Sequence, residues 1–200
     1  MTDLVSHPGD PIVLVREALA RAKQEEPFDA TAMTLATVSA SGAPAARVVL
    51  LKGIDDRGFV FYTNYKSRKA RELSSTKVAA IAIHWPKAQE QVRVEGTVEQ
   101  VSAAESDAYF RTRPRESQLG AWASLQREEL ADRASLEARF DEITRRYEGK
   151  EVPRPPHWGG FRVVPSRIEL WYGRASRLHE RHVYERDAVG APWRHRLLFP

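Results

Sequence analysis

The residues best suited to chemistry in this chain are cations placed at the ends of apolar runs. In the stretch from Ala46 to Lys69, ARVVLLKGIDDRGFVFYTNYKSRK, Arg47 and Lys52 bracket one run and Arg68-Lys69 follow another. Such groups bind phosphate or carboxylate, arginine through a rigid fork and lysine as a point charge. Side chains alternate along a strand, so Arg47 and Lys52 are expected on opposite faces unless a bulge intervenes, which implies two separate anion contacts. Ser67 is a good N-cap for a helix through Arg71, Glu72 and Leu73, yet the first turn of that helix carries two cations at the positive end of its dipole. That costs roughly 0.3–1 kcal/mol per charge, and a phosphate at the helix start would reverse the sign. The alternative is a solvated basic turn.

Two more clusters have similar chemistry. Tyr109, Arg113 and Ser117 fall at i, i+4 and i+8 and line one face if their segment is helical. With Lys52 they would suit a phosphate monoester, which carries close to two charges at neutral pH. Tyr109 by itself is more often a core aromatic than a ligand. The second cluster is Trp171, Arg177, His179 and Arg181. Alternation in a strand or tight turn puts Arg177, His179 and Arg181 on one side and Leu178 on the other, where the three repel one another unless an anion sits between them. Ordinary salt bridges to Glu169 and Glu180 are the alternative.

Other chemistries are struck out by what the chain lacks. With no cysteine among 200 residues there is no thiolate nucleophile, disulfide framework or Cys-based metal site. His179 and His182 are the only close histidine pair, with no carboxylate cluster around them, so no metal is expected. There is no G-x-G-x-x-G after a strand, no Walker A loop, no H-E-x-x-H and no G-x-S-x-G. The net charge of +4, from 31 basic and 27 acidic residues, is mixed, and the basic residues are not interleaved with aromatics, so no nucleic-acid partner is expected. No apolar run reaches membrane-spanning length and MTDLVSHPGDP lacks a signal-peptide layout, so a cytoplasmic location without membrane contact is expected.

Asp10-Pro11 opens a helix with Ile12, Val15, Leu19 and Ala22 on one stripe, ended by Glu25-Glu26-Pro27. Strands are expected over 32–38, 78–85, 91–101, 161–172, 182–187 and 193–198, and a hairpin pairs 48–51 with 59–62 around the turn Asp55-Asp56-Arg57-Gly58. Ser102 and Glu105 form a capping box, Leu136, Phe140, Ile143 and Tyr147 share a helix face that Gly149 ends, and 152–160 is a Pro-rich loop packed on the body. The whole implies one domain over 1–200, mostly β with flanking helices (α+β), its antiparallel strands closed into a barrel.

RVVLLK, FYTNYKSRKA, RPRESQLGAWASLQ, PPHWGGFRV and ELWYGRASRLHER occur in this order, and residues 28–200 resemble the pyridoxamine 5′-phosphate oxidases. Residues 1–27, an N-terminal segment and helix, precede the resemblance. It implies a split β-barrel of the FMN-binding type and a homodimer with active sites at the subunit interface. The activity implied is oxidation of pyridoxine 5′-phosphate and pyridoxamine 5′-phosphate to pyridoxal 5′-phosphate, with FMN as cofactor, O2 as acceptor and H2O2 as product. Position by position, it makes Arg47, Val48, Val49, Leu50, Lys52, Tyr62, Thr63, Arg68, Lys69, Gln91 and Gln126 cofactor-binding, with Trp171 and Arg181 contributed from the partner subunit. Lys52, Tyr109, Arg113 and Ser117 match the groups that hold the substrate phosphate. Arg177 and His179 match those over the substrate ring, the catalytic pair. Two departures stand out: Arg127 occupies a position where some members use a serine toward the FMN phosphate, so it either adds charge there or points to solvent. Met1–Gly9 has neither the arginine nor the tyrosine of an arm that closes over the substrate in other members. Related flavin oxidases of phenazine biosynthesis carry an RLHER-like motif, and a non-catalytic flavin-binding protein is the rival of another class. Retention of Lys52, Tyr109, Arg113 and Ser117 favours the vitamin phosphate.

Overall fold

Asp10 opens the first helix as its sequence predicts, its carboxylate accepting from the Ile12 amide at 2.8 Å with Pro11 at the first helical position. The structure, a computed structural model, describes residues 9–126 and 128–200. In chain order the elements are α1 (Pro11–Glu25), β1 (Ala32–Val38), β2 (Pro44–Leu50), β3 (Gly53–Asp55), β4 (Gly58–Asn64), α2 (Arg68–Thr76), β5 (Val78–Trp85) and β6 (Glu90–Gln100). Then come α3 (Ala103–Thr112), α4 (Arg115–Ala123), α5 (Arg133–Arg146), β7 (Trp158–Tyr172), β8 (Glu180–Glu185) and β9 (Arg194–Leu198). The strands pair in the order β2-β1-β5-β6-β7-β4-β3, with β8 on the C-terminal half of β7 and β9 on β8, and every pairing is antiparallel.

What curls this sheet is a handover between two consecutive residues. The Leu51 amide donates to the Thr31 carbonyl at 2.9 Å, beside β1, while the next amide, Lys52, donates to the Val60 carbonyl of β4 at 2.8 Å. The chain thus leaves one edge of the sheet and joins the other, and the strands wrap into a split barrel. Leu35, Phe59, Phe61, Ile81, Ile83, Val92, Val94, Val163 and Ile168 fill it, and α1 seals it with the predicted stripe. Burying each such side chain fully stabilises the fold by about 1.5–3 kcal/mol. A smaller core of Phe110, Leu119, Ala123, Ile143 and Tyr147 joins α3, α4 and α5 to Trp158 at the start of β7.

Three expectations are corrected. Residues 48–51 do not pair with 59–62: β2 pairs with β1, and the turn at 55–58 is closed by the short β3, with Asp55 opposite Gly58. Trp158, Gly159 and Gly160 are not loop but the first residues of β7, opposite Asn64, Thr63 and Tyr62. Glycine is needed there for close approach, since a Cβ on Gly160 would fall 2.8 Å from the Tyr62 ring. Finally, Glu180 and Arg181 already belong to β8, ahead of the strand expected from 182.

Gly58 carries a testable cost. Its φ is +149°, and a Cβ there would lie 2.1 Å from the Val163 carbonyl oxygen of the neighbouring strand. Gly58→Ala is expected to lower stability by roughly 1–3 kcal/mol in urea unfolding, because backbone must move as well as twist.

Candidate functional site

Where β2 and β4 pass the start of α2 and face α3 and α4, they enclose a cleft of about 730 Å³. Its lining includes Arg47, Val48, Val49, Leu50 and Lys52 from the first edge, Tyr62, Thr63 and Lys69 from the next, and Tyr109, Arg113, Ser117 and Gln126 opposite. Arg47 and Lys52 therefore share one cavity. The handover at Leu51 breaks the alternation that would have parted them, which is the bulge-like interruption the sequence left open. Tyr109, Arg113 and Ser117 also meet in the cleft, though not on one helix. Arg113 caps α3 with extended φ/ψ, Pro114 follows, and Ser117 lies on α4.

One end of the cleft is the basic helix start. The Ser67 hydroxyl accepts from the Ala70 amide at 3.3 Å, the expected N-cap. Lys69 is half-buried, and burial, then the Arg47 charge, holds its ammonium below the ordinary lysine range. Arg47 is anchored through Nη1 to the Thr37 hydroxyl at 2.5 Å and the Leu35 carbonyl at 3.2 Å. Arg68 does not line the cleft; its Nε donates to Glu72 at 2.7 Å.

Opposite stands an aromatic wall. Tyr62 stacks on Tyr109 at 4.0 Å and on Trp158 at 5.4 Å, and burial, then the Glu105 charge, pushes the Tyr62 phenol up to about 12. Arg113 lies over the Trp158 ring at 4.7 Å, and its Nη1 is buried without a hydrogen-bond partner. Burial lowers its guanidinium from the usual range, since the charged form lacks an anion. A buried donor left unmade costs about 1–3 kcal/mol, which an anion in the cleft would recover.

The second cluster stands apart from this cleft. Trp171 and His179 line a separate hollow of about 280 Å³ with His84, Gln89 and Arg174. The His179 ring rests on Trp171 at 4.6 Å, and its Nδ1 accepts the Arg174 amide at 3.1 Å, so in the neutral ring Nε2 bears the proton. Gln91 lies opposite Trp171 in the β6–β7 register. Arg177 is exposed in a tight turn at φ +60°, and Arg181 is taken up by Glu169 through Nε at 2.8 Å and Nη2 at 3.2 Å. The salt-bridge alternative holds for Arg181. Arg127 and Met1–Pro8 lie outside the described residues.

Residues 19–147 match the family model described as pyridoxamine 5′-phosphate oxidase, and residues 158–200 match the pyridoxine 5′-phosphate oxidase C-terminal dimerisation region. The chain belongs to the pyridoxamine 5′-phosphate oxidase family. It is 56% identical over 200 residues to the pyridoxine/pyridoxamine 5′-phosphate oxidase of Myxococcus xanthus, covering all of this chain and 96% of that one. The crystal structure of PhzG from Burkholderia lata, in complex with tetrahydrophenazine-1-carboxylic acid, superposes with a TM-score of 0.89 at 34% identity, covering 96% of this chain and 94% of that one. A pyridoxamine 5′-phosphate oxidase-related, FMN binding protein from Nostoc punctiforme has the same fold, at a TM-score of 0.75, 18% identity and coverage of 98% and 100%.

Membership of this oxidoreductase family accounts for the motifs, but some residues of the cleft were not singled out from sequence. Trp158 is the main one: it supports Arg113 and joins the tyrosine stack, and a lone tryptophan before Gly-Gly was the available signal. Asn64 also lines the cleft, its Nδ2 donating to the Ser124 carbonyl at 3.4 Å. Among the described residues no helix is long and apolar enough to cross a membrane.

Proposed function

We propose that this chain is an FMN-dependent oxidase that converts pyridoxine 5′-phosphate and pyridoxamine 5′-phosphate to pyridoxal 5′-phosphate, with O2 as acceptor and H2O2 as product. The observation that carries it is one cleft with cations at both ends, Lys69 and Arg47 at a helix start and the unpartnered Arg113 with Lys52 and Ser117 across from it. A phosphorylated cofactor and a phosphorylated substrate answer that demand together. The donor set fits FMN: capped helix amides and cations toward its phosphate, Tyr62 and Thr63 beside it. When bound, FMN supplies the hydride acceptor.

The protein's own part is placement. Arg113, Lys52, Ser117 and Tyr109 grip the substrate phosphate, and this remote binding holds the reacting carbon against the cofactor, where effective molarity is large. His179 offers its Nε2 proton as a hydrogen-bond donor, and Arg177 brings a permanent positive charge toward the substrate ring. Purified protein should turn over pyridoxine 5′-phosphate in air with release of peroxide. A yellow protein with no turnover would leave only a flavin binder.

Trp171, Arg177, His179 and Arg181 complete the cleft of a second copy of the chain in this proposal, so the enzyme is a homodimer with sites at its interface. Supporting it are the separation of the two clusters within one chain and the match of 158–200 to a dimerisation region. Flavin content should fall as the dimer is diluted apart, followed by light scattering, and a flavin-loaded, active monomer would end the dimer proposal. Residues 1–200 form one domain in this proposal, supported by a main core that runs from Ile12 to Tyr184 and a smaller one that ties α3, α4 and α5 to the start of β7.

The Lys69 end gives a further expected result. Lys69→Ala should weaken FMN binding by on the order of tenfold, the loss of one charge-assisted contact, and leave riboflavin binding nearly unchanged. Equal affinity of the unmodified protein for riboflavin and FMN would show that no phosphate binds there. The likeness to PhzG supports a second activity, oxidation of a phenazine precursor, and turnover of a phosphate-free phenazine precursor in preference to pyridoxine 5′-phosphate would establish it.

A further inference from the structure

Glu72 is buried behind the basic helix start, at 7% exposure against 61% for Arg68. Both its oxygens are used. Oε1 accepts from Arg68 Nε at 2.7 Å, and Oε2 accepts from the Thr37 hydroxyl at 2.6 Å and faces Arg47 Nη2 at 3.5 Å. The Thr37 hydroxyl first, then Arg68 and Arg47, hold this carboxyl below its usual range, so it stays ionised. Thr37 in turn accepts from Arg47 Nη1, so a strand threonine and a helix carboxylate tie two guanidinium groups from different elements into one network. Lys69 adds a third cation beside them, its charged form already disfavoured by burial and then by Arg47.

We propose that Glu72 is a positioning residue for the flavin phosphate: it fixes the guanidinium groups of Arg47 and Arg68 and supplies the counter-charge that lets three cations share one helix start before a phosphate arrives. The inference rests on the proposed binding of the FMN phosphate at α2. Two effects of the carboxylate oppose each other there. Its charge repels a phosphate, while its hydrogen bonds aim the fixed forks of Arg47 and Arg68. Glu72 does not line the cleft, whereas Arg47 does and meets it at 3.5 Å, so a guanidinium separates the carboxylate from an anion bound there and the aiming effect is the larger one. An ion pair at i,i+4 on a helix surface would contribute only a few tenths of a kcal/mol, whereas Glu72 is buried and bonded to three groups from three elements.

The test is flavin affinity, measured by fluorescence quenching on deflavinated full-length protein. Wild type, Glu72→Gln, Arg68→Ala and the double variant are each titrated with FMN and with riboflavin. Glu72→Gln should weaken FMN by about tenfold, as expected for one charged hydrogen-bond network loosened, with riboflavin unchanged. The double variant should lose less than the product of the two single losses, since Glu72 acts partly through Arg68. FMN bound by Glu72→Gln as tightly as by wild type, or more tightly, overturns the proposal, as do independent, multiplying losses or an equal loss for riboflavin. A wild-type protein that does not prefer FMN over riboflavin removes the phosphate site itself, an outcome distinct from failure of Glu72 alone. Should Glu72→Gln not fold, Thr37→Val keeps the Glu72–Arg68 pair and cuts the hydroxyl between Arg47 and Glu72. It should lose FMN affinity selectively, and wild-type affinity there would equally overturn the proposal.

Discussion

Arg113→Ala is expected to lower kcat/KM for pyridoxine 5′-phosphate by about ten- to a hundredfold, with flavin content unchanged. Arg113 Nη1 is buried and without a hydrogen-bond partner, and its guanidinium lies 4.7 Å over Trp158 and 5.5 Å over Phe110. The rings fix the plane of the fork and leave its open edge to the cleft, at no cost in side-chain freedom when a substrate arrives. Hydrogen bonds to charged groups contribute about 1.5–3 kcal/mol, and each 1.4 kcal/mol is a factor of ten. Arg113→Lys should recover only part of the loss, since a point charge cannot keep the stacked, planar geometry. The measurement is steady-state kinetics on flavin-replete protein. Loss of flavin in Arg113→Ala would mean that this end of the cleft holds the cofactor phosphate and the helix start holds the substrate.

Glu169→Gln should cost about 3–5 kcal/mol of stability near neutral pH, the usual penalty for breaking a buried ion pair from one side. Glu169 is 1% exposed and accepts from Arg181 through both oxygens, from Arg167 at 3.0 Å and from Arg93 at 3.4 Å. Burial alone would raise its pKa, but the hydrogen bonds from Arg181 and Arg167 outweigh it and hold the carboxyl below its ordinary value of 4.5. The sign of the pH dependence follows. A depressed folded pKa gives stability that is present above the unfolded value and is lost as pH falls through the folded one. The gap between wild type and Glu169→Gln should therefore be widest near neutral pH and shrink on acidification below about 4.5, the unfolded reference. Urea unfolding across that range measures it, and a gap independent of pH would mean that packing, not charge, is what the glutamate contributes. Release of Arg181 in the same variant should also lower flavin content, if that arginine serves a second copy.

Much of the fold was legible because its signals are local. The Asp10-Pro11 start, the Ser67 and Ser102 caps and the β1 and β5 runs are each written in a few adjacent residues. What sequence could not convey was pairing at a distance. The DDRG turn was correctly placed, but which strand Val48–Leu50 would pair with depends on β1, which precedes it, and on where the chain crosses over. Trp158-Gly159-Gly160 look like loop because their composition reflects crowding by Tyr62 and Tyr65, a tertiary cause. The cleft was legible as a set of cations, since buried charge demands a partner whatever the fold. The Arg181–Glu169 pair was one of the two alternatives the sequence left open, but that Arg113 rests on Trp158 needed the folded chain, because those two residues meet only where a helix packs on the sheet.

The handover at Leu51 and Lys52 joins barrel closure to ligand binding. Adjacent amides are committed to opposite rims, Leu51 to Thr31 and Lys52 to Val60, and the second residue carries its ammonium into the cleft. Opening the seam would therefore expose both amides at once and swing a cleft-lining ammonium out of place. A ligand gripping that side chain would in turn act as a clasp on the barrel, its binding energy appearing as slower solvent exchange at two neighbouring peptide groups. An extra residue inserted at this point would invert the side to which Lys52 points, so backbone length here is under chemical constraint as well as structural constraint.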